Sequence, residues 1–105
     1  MSEAATHRYR SFRDFYPYYL SEHSDRTCRR LHFVGTLLVI VIAVTAAATG
    51  RLALFWLLPI VGYGFAWVGH FFFEHNKPAT FQYPLYSLIG DFRMFGEMLT
   101  GRIRF

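Results

Sequence analysis

The sequence predicts an all-α integral membrane protein: a helical hairpin of two spans, at about 31–49 and 52–73, flanked by interfacial amphipathic helices. Three observations carry this. Phe33 to Thr49 holds no charged residue, and Leu52 to Phe73 holds only His70 as a charge-bearing side chain. A spanning helix needs about twenty apolar residues, and both stretches reach that length once Leu31 and His32 enter the first. Gly50-Arg51 between them leaves room for a tight turn only, so the two run antiparallel. The third observation is composition: 53% hydrophobic and 20% aromatic residues in 105 are heavy for a water-soluble domain of this size. A hairpin inside a soluble bundle is the competing reading, and the span lengths favour the bilayer.

Charge placement agrees. Arg8, Arg10, Arg13, Arg26, Arg29 and Arg30 precede the first span, Lys77, Arg93, Arg102 and Arg104 follow the second, and Arg51 alone sits at the turn. Such basic flanks argue against a nucleic-acid-binding surface. By the positive-inside rule both termini are expected in the cytoplasm, in the inner membrane if the cell is bacterial. No cleavable signal peptide is expected, because the first apolar stretch begins too far from the start. Cys28 has no second cysteine to pair with and reads as a passive helix residue.

The elements follow in order. Residues 1–10 form a polar tail, in which His7 is expected to be inert. An interfacial helix is expected at 11–22, opened by the capping box Ser11-Phe12-Arg13-Asp14 and carrying Phe12, Phe15, Tyr16 and Tyr19 as an aromatic stripe. Pro17 is expected to kink it or mark a restart. The spans are placed at 26–49 and 52–75, with Pro59 bending the second. A C-terminal amphipathic helix at 84–100 is read from Leu85, Leu88, Ile89, Phe92, Phe95 and Leu99. Both stripes suit lipid contact or packing equally. No linker divides the chain, which reads as one domain, 1–105.

Four of the five histidines flank the hairpin. His23 just precedes the first span and His32 lies in its opening turns, while His70 and His75 end the second, so the topology brings them to one side of the bilayer. His23 and His32 are out of phase on one continuous helix. They converge only if the chain breaks between them, and Ser24 and Asp25 are suitable caps for such a break. His70 and Glu74 share a face with Tyr63 and Trp67, and Gly62, Ala66 and Gly69 form a small-residue stripe. Imidazoles with one carboxylate suit non-haem iron(II), and Zn(2+) fits the same set. His75 and Asp91 are reserve ligands, although Asp91 is better read as capping the last helix or pairing with Arg93. Arg29 and Arg30 adjoin the site, either to hold a substrate carboxylate or to enforce the charge bias.

These residues resemble a known family. YYLSEHSDRTCRRLHFVGT, GYGFAWVGHFFFEHNKPATF and YPLYSLIGDFRMF are similar to the small membrane proteins that include the fungal 2-hydroxy-palmitate dioxygenase. The likeness covers roughly Phe12 to Gly101, and its most specific part is Gly69-His70, Phe73-Glu74 and Pro78-Ala79. The resemblance implies an Fe(2+)-dependent dioxygenase that shortens 2-hydroxy fatty acids by one carbon, an alpha-oxidation step. It implies His23, His32 and His70 as iron ligands, with Glu74 as a fourth ligand or a supporting partner. It also implies a fatty-acid substrate and dioxygen as partners, the acyl chain lying in the bilayer. Arg29, Arg30, Tyr63 and Trp67 are the substrate-binding expectations. The chain is shorter than the fungal type and has Ser24-Asp25 where asparagines are common.

A non-enzymatic membrane module, with interfacial histidines and Gly62 and Gly69 guiding helix association, is the alternative. Two spans are few to enclose a lipid pocket, which is compatible with a homo-oligomer.

Overall fold

The structure is a computed structural model that describes residues 8–105, so the expectation for His7 lies outside the described residues. Helix α1 spans Phe12–Ser21, α2 spans Arg26–Thr49, α3 spans Leu57–Val68 and α4 spans Pro84–Leu99. Short 3₁₀ turns at Leu52–Trp56 and Ala79–Phe81 precede α3 and α4, and a π-helical turn, Gly69–Glu74, continues α3. The described residues contain no strand.

Each boundary has a local cause. The Ser11 hydroxyl accepts from the Asp14 N–H at 3.2 Å and opens α1. Pro17 lies inside α1 without breaking it. It sits on the exposed side, where the carbonyl one turn earlier can be reached by solvent. Asp25 caps α2 by accepting from Cys28 N–H at 2.9 Å. Gly50 ends α2 at φ 71°, a left-handed conformation that glycine adopts without steric cost. Pro59 falls in the first turn of α3, where its missing N–H has no intrahelical partner to lose, and the chain before it winds as the 3₁₀ turn.

Two continuous stretches, Arg26–Thr49 and Leu52–Glu74, are long and apolar enough to cross a membrane. Little of either is buried by the rest of the chain, whereas the core helix of a soluble bundle is mostly buried. Trp56 is 79% exposed and Phe72 69%. The expected antiparallel hairpin is present, with α2 packed along α3.

The core lies at one end of the hairpin. There α1 packs on α4, and Phe15, Tyr16, Tyr19, Ala79, Tyr83, Met94 and Met98 form a buried, largely aromatic cluster. The stripe of α1 is therefore mostly a packing face. The helix α4 reverses the expectation for a water-facing helix: Ser87, Gly90, Met94 and Met98 are buried, while Leu85, Leu88, Ile89, Phe92 and Leu99 face outward. The buried face is made of small and flexible residues because aromatic rings from α1 fill it. A Cβ on Gly90 would stand 2.9 Å from the Tyr19 ring. The outward face is apolar, as a lipid-facing surface requires.

Candidate metal centre

His23 lies in the break between α1 and α2, His32 in the second turn of α2, and His70 at the start of the π-helical turn. The break is held from several sides. Arg29 Nη1 donates to the carbonyls of His23 (3.3 Å) and Ser24 (2.7 Å). The Glu74 carboxylate accepts from the Ser24 hydroxyl and the Asp25 N–H, both at 2.6 Å. Gly69 brings the two spans together beside His70, because a Cβ there would meet Cys28 Cα at 3.2 Å. The π-helical turn widens the helix at the histidine itself, a distortion frequent at functional sites.

All three imidazoles are buried, and their ligand atoms lie within 4.8 Å of one another. Ring centroids are 4.4 Å apart for His23 and His32, 4.5 Å for His23 and His70, and 4.8 Å for His32 and His70. Each Nδ1 has its own acceptor: the Tyr19 carbonyl for His23 at 2.6 Å, the Cys28 carbonyl for His32 at 2.8 Å, and Asn76 Oδ1 for His70 at 2.7 Å. The Asn76 amide is oriented by donating its Nδ2 to the Glu22 carbonyl at 3.0 Å. With the ring protons on Nδ1, the three Nε2 atoms are lone-pair acceptors.

His23 Nε2 and His32 Nε2 nevertheless approach to 3.1 Å. Three converging acceptors with no donor among them call for a cation or a donor between them, and outer hydrogen bonds that fix the tautomer are what metal-binding histidines have. The residues present therefore fit a metal ion. Protonation is not a ready substitute: burial, then the neighbouring imidazoles, hold the His23 pKa well below the ordinary histidine value.

A supporting layer surrounds His23. The Tyr19 ring stacks on it at 4.0 Å, and the Tyr19 hydroxyl donates to Asp91. Burial, then Asp91, raise the Tyr19 pKa well above normal, keeping it a donor. Burial likewise lifts Asp91 to about 7, against the opposing effect of the Tyr19 bond.

Two cavities meet at this point. The smaller is lined by Tyr19, the three histidines, Ser87 and Asp91. The Ser87 hydroxyl, buried and without a hydrogen-bond partner, lies in its wall. The larger, about 320 Å³, runs between α2, α3 and α4, and His32, Tyr63, Ala66 and Asp91 line both.

Of the other expected site residues, Asp91 and Tyr63 line the histidine cavity and the rest lie elsewhere. Glu74 is turned to the N-terminus of α2, with both oxygens engaged there, and stands apart from the histidine cluster. His75 is exposed and adopts φ 60°, ending the π-helical turn. Asp91 neither caps α4, lying inside it, nor pairs with Arg93, which approaches Glu97 at 3.9 Å. Arg29 holds the break, and Arg30 donates to the Phe105 carbonyl at 3.1 Å; neither lines either of these two cavities. Tyr63 lines both cavities, whereas Trp67 packs against Tyr63 and Phe81 outside them.

Tyr19, Asn76 and Ser87 are not among the site residues to which the sequence points. Tyr19 had a legible signal, four residues before His23. Asn76 had none, because its reach to His70 depends on the left-handed turn at His75.

The profile of a family described as "Mpo1-like: 2-hydroxy-palmitic acid dioxygenase Mpo1-like" matches residues 9–103. Neither the curated proteins nor the solved structures gave a match.

Proposed function

The chain belongs to the Mpo1-like family, and from that premise and the histidine centre we propose that it is a membrane-embedded, iron(II)-dependent dioxygenase of 2-hydroxy fatty acids. The observation that carries the proposal is the convergence of three Nε2 lone pairs, each opposed by a fixed Nδ1 donor bond. His23, His32 and His70 would hold the metal through their Nε2 atoms. Iron(II) bound there would supply the one-electron chemistry that lets dioxygen react with an organic substrate, which zinc, having no redox chemistry, does not. The overall conversion takes a 2-hydroxy acid and one dioxygen to the acid one carbon shorter, carbon dioxide and water.

The chain's own residues bind and orient. The Ser87 hydroxyl, without a protein partner, donates to the polar head of the substrate. Asp91, accepting from Tyr19, faces the same head from the junction of the cavities. Tyr19, Cys28 and Asn76 hold the three rings through their acceptors, so the site is set before substrate arrives. The two apolar stretches cross the bilayer, and the concentration of basic residues at the histidine end sets that end on the cytoplasmic side.

Oxygen uptake by the detergent-purified protein with 2-hydroxy-palmitic acid tests this, with the product identified by mass spectrometry. The expected product is the acid one carbon shorter, and His70→Ala should abolish its formation. Turnover that survives His70→Ala would remove the histidine centre from the chemistry.

A further inference from the structure

We infer that the cavity between α2, α3 and α4 is an acyl-chain channel, and that Gly62 sets the chain length it accepts. This rests on the proposed reaction for the identity of the head group, but on the cavity itself for the tail.

The volume, about 320 Å³, falls in the range of ligand pockets. Its far wall is apolar: Val39 on α2, Leu58, Pro59 and Gly62 on α3, Leu88 and Phe92 on α4. Its polar groups, His32, Thr36, Tyr63 and Asp91, include three that also line the histidine cavity. An occupant is therefore acidic or hydroxylated at one end and unsubstituted along the rest. A small soluble hydroxy acid would leave the apolar part unfilled. Val39 is two turns beyond His32, so the channel continues about 10 Å past the histidines along α2. Leu88 and Phe92, 51% and 42% exposed, form the third wall from the outward face of α4. The channel thus borders the surface that faces lipid, and a chain enters sideways from the bilayer. One chain supplies all three walls.

Gly62 stands opposite Val39, and both line this channel. A Cβ on Gly62 would lie 3.4 Å from Val39 Cγ2, an ordinary contact, so alanine fits and a longer side chain must occupy the channel. Gly64, on the same helix, has nothing within 4 Å of its Cβ position and does not line the cavity. Exchanging each glycine for leucine changes helix composition equally and the channel only once.

The experiment uses full-length protein in detergent or nanodiscs with a 2-hydroxy fatty acid carrying a diazirine at mid-chain. Photolabelling is mapped by mass spectrometry, and turnover is compared between 2-hydroxy-palmitic and 2-hydroxy-octanoic acid. The wild type should be labelled on the channel walls of α2 and α3. Gly62→Leu should lose about tenfold or more in labelling and in the ratio of kcat/KM for the long acid to that for the short one. Gly64→Leu should match the wild type, and Gly62→Ala should shift the profile in the same direction by less, which serves if Gly62→Leu folds poorly. Labelling and chain-length profile unchanged in both Gly62 variants would overturn the channel. Gly62-sensitive labelling without turnover of either acid by the wild type would support the channel and refute the proposed reaction.

Discussion

The Nε2 atoms of His23 and His32 lie 3.1 Å apart, while the Nδ1 of each ring is bonded to a main-chain carbonyl one turn earlier. The contact is not a hydrogen bond between neutral rings whose protons are on Nδ1. It arises because α1 ends at Ser21 and α2 begins at Arg26, so two histidines nine residues apart face each other across a capped break. His70 closes the set from the other span, admitted by the missing side chain of Gly69.

Glu74 separates the cap from the ligand set. Because its carboxylate accepts from Ser24 and Asp25, Glu74→Ala should destabilise the fold by about 1–3 kcal/mol while leaving metal stoichiometry intact. Thermal unfolding and metal analysis of the same preparation check both halves. Loss of metal without loss of stability would make Glu74 a ligand instead.

Asn76 orients His70 from outside the proposed ligand set. Asn76→Ala should weaken metal affinity by about 10–100-fold, the usual cost of removing an outer partner of a ligating histidine. Competition with a chelator of known affinity measures it, and an unchanged affinity would show that His70 is held by packing alone.

Gly90 and Gly69 are packed where a methyl group would press on its neighbours. Gly90→Ala pushes on the enclosed Tyr19 ring and Gly69→Ala on the Cα of Cys28, so each should cost about 1–3 kcal/mol. Gly64→Ala, with open space around it, should be neutral or stabilising. Denaturation midpoints in a single detergent rank the three.

Much of this arrangement is legible in the sequence, for identifiable reasons. Two uncharged stretches separated by Gly50-Arg51 fix the hairpin, and the hairpin brings His70 to the level of His32. Asp25 announces the break that frees His23. The burial of α4 was not legible, because Leu85, Leu88 and Phe92 obey the usual period yet face outward, and only the Tyr19 ring against Gly90 reveals the packed side. Nor was the destination of Glu74, since the π-helical turn and the short link at Ser24 set it together. Asp91 illustrates the same limit: its partner is Tyr19, seventy-two residues away.

Asp91 also gives a pH signature. Its folded pKa, about 7, exceeds the ordinary 3.8, so the folded state retains a proton that the unfolded chain has released. Its contribution is therefore fully favourable below about 3.8, declines as pH rises toward 7 and is constant above. His23, whose pKa is lowered, acts oppositely, losing stability as pH falls below 6.5. The difference between wild type and Asp91→Asn isolates the first effect. In metal-free protein, the wild type should lose stability relative to Asp91→Asn between about pH 4 and 7; a constant difference across that window would contradict the buried, proton-retaining carboxyl.

The most direct test of the central claim is metal content, by mass spectrometry, of protein purified anaerobically in detergent beside a His23/His32/His70 triple alanine variant. The wild type should hold close to one iron per chain and the variant none, with helical content retained in both. No metal in folded wild type, or iron undiminished in the variant, would contradict that claim.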